Sequence, residues 1–253
     1  MAIVIIYPII LWVCSSFFKS VGWSVKNYLG VEVPYSLGLG VFIAILYFSF
    51  LLNAVFFLYL SVLYVTGFID DRFGTKYPKG LKGHVSLFFR TGRVTTGFLK
   101  LVSTLAVSFS VIFLVEGGIM EKLTMFLLLV LPPHVMNLFD TRPLRVWKVM
   151  SIHLLFFLPL FYQMTLSTIL SLLFIALCLM YFEGTRKGML GDNGATLLGG
   201  VLSVVAIVHL SITWQWLLIS FYLLIILITE RFSISEWIEK TPLLRKIDRW
   251  GVS

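Results

Sequence analysis

From Ser36 to Thr66 the chain runs without a charged residue. As one helix that stretch would extend ~46 Å, against the ~30 Å of hydrocarbon in a bilayer. A segment of this kind belongs in lipid, and its surroundings agree: 59% of the chain is hydrophobic and only 13% charged, where a soluble domain is nearer a quarter charged. The basic residues are clustered at Lys19–Lys26, Arg72–Lys100, Arg142–Lys148, Arg186–Lys187 and Arg231–Arg249, and the alternate gaps nearly lack them. Cytoplasmic loops collect Lys and Arg, so the pattern predicts a regular in–out alternation. Helices are expected at 2–18, 94–115, 122–138, 149–162, 165–182, 194–210 and 213–230. Residues 36–66 are read as a hairpin turning near Leu52-Asn53, because Lys19 and Lys26 obey the charge rule only that way. The expected fold is an all-α polytopic membrane helix bundle of eight or nine transmembrane helices, N-terminus outside and C-terminus inside.

Met1–Phe18 lacks a basic n-region and a small-x-small cleavage site, and its lysines follow the apolar run, so it reads as a retained first helix. Cys14 and Cys178 lie within apolar runs and read as packing residues. The net charge of +8 fits cytoplasmic loops and anionic headgroups, not nucleic acid. Residues 1–232 form the membrane domain. Residues 233–253 form a cytoplasmic tail in which Ile234, Trp237, Ile238, Leu243, Leu244, Ile247 and Trp250 recur at helical spacing opposite charged residues. That pattern predicts an interfacial amphipathic helix, broken near Pro242, along the inner leaflet.

Three polar islands interrupt the apolar runs. The first is Gly67-Phe68-Ile69-Asp70-Asp71, followed by Lys79-Gly80-Leu81-Lys82-Gly83-His84. Acids at a membrane boundary are costly and mark working sites. Neighbouring carboxylates repel, and a hard divalent cation such as Mg2+ relieves them, completing its shell with water and substrate phosphate. Lys79, Lys82, His84, Arg90 and Arg93 would suit a phosphate or diphosphate; the plain alternative is that Asp70 and Asp71 pair with Arg72 and Lys76 or cap the next helix. The second island, Asn137-Leu138-Phe139-Asp140 before Arg142, places an amide and a carboxylate three apart on a helix end. It either completes a metal shell or is an ordinary terminus with Asp140 on Arg142. The third, Gly191-Asp192-Asn193-Gly194, turns into a helix whose free amides suit an anion, with Asp192 as N-cap the alternative. His134, His153 and His209 read as packing residues. No GxSxG, HExxH, CxxC pair or Walker loop is present.

Together with Asn27-Tyr28-Leu29-Gly30, Val33-Pro34 and Gly38, these islands resemble the polyprenyl-phosphate N-acetylhexosamine-1-phosphate transferase family, which includes phospho-N-acetylmuramoyl-pentapeptide transferase and the GlcNAc-1-phosphate transferases. The likeness covers about residues 20–210. It implies Mg2+-dependent transfer of a sugar-1-phosphate from a UDP-sugar to undecaprenyl phosphate or a similar polyprenyl phosphate at the cytoplasmic face of the cell membrane, for cell-envelope glycans. On this likeness Asp70, Asp71 and Asp140 are catalytic, and Asp71, Asp140 and Asp192 hold Mg2+. Asn27, Lys79, Lys82, His84, Asn137, Arg142, Asn193 and Gly194 bind substrates. The partners implied are the UDP-sugar donor, the polyprenyl phosphate and membrane lipids, with a homodimer left open. Two features depart from the family. Asp140 continues as Thr141-Arg142-Pro143-Leu144-Arg145 instead of Asp-Gly-x-Asp-Gly, and the family's late histidine- or arginine-rich loop has no counterpart. The alternatives are a non-catalytic relative that binds lipid phosphate as a regulator or scaffold, and a transporter using intramembrane carboxylates. The acids lie at helix ends and not at mid-span, against the transporter.

Overall fold

The computed structural model describes residues 2–75, 77, 80–157, 160 and 164–252, without the side chains of residues 2–4 and 81. Its elements are α1 (Ala2–Ser20), β1 (Ser24–Lys26), β2 (Glu32–Pro34), α2 (Leu37–Tyr47), α3 (Ala54–Phe73), α4 (Gly80–Thr91), α5 (Thr96–Leu114), α6 (Ile119–Phe139), α7 (Arg145–His153), α8 (Leu166–Gly184), α9 (Gly191–His209), α10 (Ile212–Arg231), α11 (Ile234–Lys240) and α12 (Pro242–Arg249). The architecture is a membrane-type helix bundle carrying one small hairpin of antiparallel strands, with Val25 opposite Val33. Among the described residues six helices are long and apolar enough to cross a bilayer: α3, α5, α6, α8, α9 and α10. The expected eight or nine would need α1, α2 and residues 149–162 as well. α2 has 11 residues, ~16 Å of helix. The span expected at 149–162 starts earlier, as α7, and ends at His153. Tighter three-residue bonds then carry the chain on, such as Phe156 N to His153 O. The remainder of that stretch falls partly outside the described residues.

The turn expected near Leu52-Asn53 is present. Both residues are extended, and the Asn53 side chain accepts the Val55 amide as the N-cap of α3. Gly38, at the start of α2, and Gly67, near the end of α3, both press on Asn193. The two helices therefore run in opposite directions, with Phe42 stacked on Tyr64 at 4.6 Å between centroids.

The central helix is α9. Of its apolar window 72% is buried, against 17–50% for the other five, and α2, α3 and α6 surround it. Small residues allow this approach. A Cβ on Gly67 would lie 2.6 Å from Asn193 Cα, so any side chain there would push α3 off α9.

Opposite α3, Pro132 and Pro133 lie inside α6. A proline has no N–H to give the carbonyl four residues back, which leaves Leu129 O without its helical donor. The Tyr59 hydroxyl supplies one at 2.6 Å, from a fully buried ring. Unpaired carbonyls in a bilayer are expensive, so Tyr59→Phe is expected to cost about 1–3 kcal/mol. Thermal unfolding in detergent measures it, and an unchanged midpoint would mean another group satisfies that carbonyl.

The C-terminal pair breaks at Thr241, with Pro242 in the first turn of α12. Its orientation divides the single apolar face read from the sequence. Ile234, Ile238 and Leu244 are half-buried against the protein beside a buried Asp248, whereas Trp237, Leu243, Ile247 and Trp250 are exposed. A buried ion pair draws the charged side inward, and the outward stripe is left as an apolar surface.

Candidate functional site

One end of the bundle collects the last turns of α3 and α6, the first turns of α5 and α9, and the tail. The charged centre there is Lys100, one turn into α5. Its Nζ lies 2.8 Å from Asp70 Oδ2 and 2.6 Å from Asp192 Oδ2. The Lys100 and Asp70 side chains are only 15% and 14% exposed, so water does little of the neutralising and the ammonium does most. Because Asp70 and Asp192 share one ammonium, their carboxylates stand close together. Two acids held that closely require a shared cation. In this structure the cation is a lysine.

Asp71 is employed differently. Its Oδ1 accepts the Asp192 amide at 2.9 Å; its Oδ2 accepts the Asn193 amide at 2.8 Å and Asn193 Nδ2 at 2.6 Å. The acid from α3 thereby caps the first turn of α9, where amides lack helical partners and the macrodipole is positive. Sequence reasoning offered those amides to a substrate anion, but an internal carboxylate occupies them. Gly191 makes the arrangement feasible. It takes φ +66, and a Cβ there would stand 2.8 Å from Asp71 Oδ2. The helix begins at Gly191 and not at 194, so Asn193 and Gly194 lie in its first turn. Asn193 Nδ2 also donates to Tyr35 O at 3.2 Å, tying the link between β2 and α2 to the site.

Asp140 follows the last residue of α6, its amide bonded to Asn137 O at 3.3 Å. It lies within electrostatic reach of Glu183, Asp192, Asp71 and Lys100. Asn137 Oδ1 is buried with no hydrogen-bond partner. The four acids named from the sequence thus gather at one end of the bundle, from α3, α6 and α9.

The remaining expected site residues are placed as follows. Arg142 does not reach for Asp140. It pairs with Glu239 of α11, lies 3.7 Å from Asp248 Oδ2, and stands over the Tyr28 ring. Lys82 pairs with Glu230 at the end of α10. His84 Nδ1 lies 2.7 Å from Thr95 Oγ1, and the ring packs on Gly97, seating α4 on the start of α5. Residues 80–91, part of the basic cluster where no helix was expected, are this helix. Asn27 Oδ1 accepts the amides of Leu29 and Val31, closing the turn between β1 and β2. Lys79 lies outside the described residues.

Two further features escaped the sequence reading. Lys100 was grouped with a basic loop, although it sits four residues inside an apolar helix; a charge within such a run was the available signal. Asp248 is the other. Arg145 holds it with a two-pronged pair, Nε to Oδ1 and Nη2 to Oδ2 at 2.8 Å each, and Lys148 Nζ donates to its backbone carbonyl at 2.6 Å. Burial pushes the Asp248 carboxyl upward, but the hydrogen bonds and charge of Arg145, with Lys148 and Arg142 beyond, hold it below the usual carboxylate range. No sequence spacing indicated this pairing across more than a hundred residues.

Among the described residues no three His, Cys, Asp or Glu side chains are grouped as a ready-made metal cage. Magnesium does not require one, since it often takes one or two carboxylates and fills its shell with water and phosphate oxygens. Asp70 and Asp192 meet that requirement, and the unpartnered Asn137 Oδ1 is a spare oxygen near Asp140. The chain has no match among protein-family models, curated proteins or solved structures.

Proposed function

We propose that the chain is a membrane phosphoglycosyl transferase, moving a sugar-1-phosphate from a UDP-sugar to a polyprenyl phosphate. The observation that carries this reading is the meeting of Asp70, Lys100 and Asp192, from α3, α5 and α9, with Asp71 and Asp140 beside them. A phosphate oxygen of the lipid attacks the phosphorus that bears the sugar. The bond from that phosphorus to the bridging oxygen breaks, and UMP leaves with the electron pair. Such transfers need positioning and charge stabilisation more than covalent chemistry. Magnesium, held by Asp70 and Asp192, would neutralise the diphosphate. Asp71 fixes the start of α9 and so aims Asp192, while the Lys100 ammonium is the nearest protein cation for the phosphates. Arg142, Arg145 and Arg231 stand at the same end of the bundle, which supports a cytoplasmic site by the positive-inside rule.

A second reading, a non-catalytic lipid-phosphate-binding scaffold, draws on the ion pairs that already engage Arg142 and Lys82. Radiolabelled UDP-sugars offered to membranes separate the two. The transferase makes a lipid-linked product with magnesium, and Asp70→Asn and Asp192→Asn each reduce it by about 100-fold or more. Wild-type rates in both variants, or polyprenyl phosphate binding without product, would leave the scaffold.

A further inference from the structure

We infer that Lys100 is the site's resting cation, so that a divalent ion enters only together with a diphosphate. The inference rests on the transferase reading for the identity of the site, and on the ion-pair geometry for its content. Lys100 Nζ touches one oxygen of Asp70 and one of Asp192, the two acids in position to share a metal. Its side chain and that of Asp70 are mostly buried, and the ammonium is anchored on α5, whose start is clamped by Thr95 and by His84 of α4. Withdrawing it would strand the mostly buried Asp70 carboxylate beside that of Asp192, itself only 34% exposed, and two close like charges without a cation are costly. A free divalent ion must therefore displace a well-held charge and gains little. A diphosphate changes the balance, because its oxygens add negative charge that both the lysine and the ion can share. Lys100 is thus a positioning residue that makes metal capture depend on the nucleotide. Its departure from the acids and its contact with phosphate are one movement.

The test measures Mn2+ binding to purified protein in detergent by electron paramagnetic resonance, with UDP as the diphosphate probe and thermal unfolding in Mg2+ or chelator alongside. Wild type is expected to bind Mn2+ weakly alone and at least about tenfold more tightly with UDP. Its unfolding midpoint should not respond to chelator. Lys100→Met is expected to bind Mn2+ without UDP at least about tenfold more tightly than wild type, and to gain a midpoint raised by Mg2+. Lys100→Arg should stay weak, and adding Asp192→Asn to Lys100→Met should abolish the gain. Should Lys100→Met not fold, Lys100→Gln takes its place in the same comparison. Equal affinity in wild type and Lys100→Met without UDP overturns the inference, as does tight binding by Lys100→Arg. The lipid-product assay is scored separately. A lysine-dependent gain with no product retires the transferase and keeps the resting cation; product with no gain does the reverse.

Discussion

Asp71→Ala should unfold well below wild type, and further below it than Asp70→Asn. The two acids are adjacent in sequence, and a reading of both as metal ligands would give them similar effects on stability. Asp71 instead accepts three hydrogen bonds from the first turn of α9. Removing it leaves two amides without an acceptor and takes from the Asn193 side-chain NH2 one of its two, next to a glycine with no side chain to fill the gap. At about 1–3 kcal/mol for each buried group left unmade, a loss of roughly 3 kcal/mol or more is expected. Asp70→Asn keeps the shape and an oxygen for Lys100, so it should spare the fold and strike activity. Cys14 and Cys178, both free and on helices of the bundle, allow thiol-reactive dye to report unfolding in detergent. Equal midpoints for the two variants would show that the cap contributes nothing.

Breaking the Arg145–Asp248 pair should have a comparable effect. Both side chains are nearly inaccessible, 3% and 5% exposed. Truncating one partner of a buried pair strands the other, typically at 3–5 kcal/mol. Arg145→Ala and Asp248→Ala should each release the tail, seen as faster proteolysis at the link between α10 and α11. The double variant should lose much less than the sum of the singles, and full additivity would deny that the residues meet. Acid gives the same result without mutation. Because the folded-state carboxyl of Asp248 titrates below its unfolded value, its contribution is whole above the unfolded value and falls away as pH drops through the folded one. Tail protection should therefore survive mild acidification and fail only under strong acid, whereas protection that weakened near neutral pH would point to a different group.

The fold was readable wherever hydrophobic runs and charge clusters carried the signal. The helices through 94–115, 122–138, 165–182, 194–210 and 213–230 match α5, α6, α8, α9 and α10 within a few residues, and Asn53 marked the break before α3. The gathering of acids was legible too, since polar groups at the ends of apolar runs have few places to go. Individual partnerships were not. That Asp71 serves a helix 120 positions later, or that Lys100 and not a loop lysine sits between the acids, depends on how α3, α5 and α9 pack. α4 was missed because Gly80 and Gly83 suggested a loop, while its seat on α5 through His84, and through Phe88 stacked on Phe98, arises only in the assembled bundle. The tail was legible in part for a related reason. Periodicity identifies an amphipathic helix but not which apolar residues pack on the protein: Ile234, Ile238 and Leu244 turn inward beside a buried carboxylate–guanidinium pair, and the other four stay outward.

The brevity of α2 has a consequence for the lipid around it. Beside α3, which is long enough to cross, it offers little more than half the hydrocarbon depth before the chain turns at Ser49–Leu51 with Phe50 exposed. A bilayer meeting that edge either thins locally or is sealed by neighbouring side chains. In the first case the protein imprints a shallow notch on its surroundings, and membrane thickness becomes a variable that acts on α3, whose last turn carries Asp70 and Asp71.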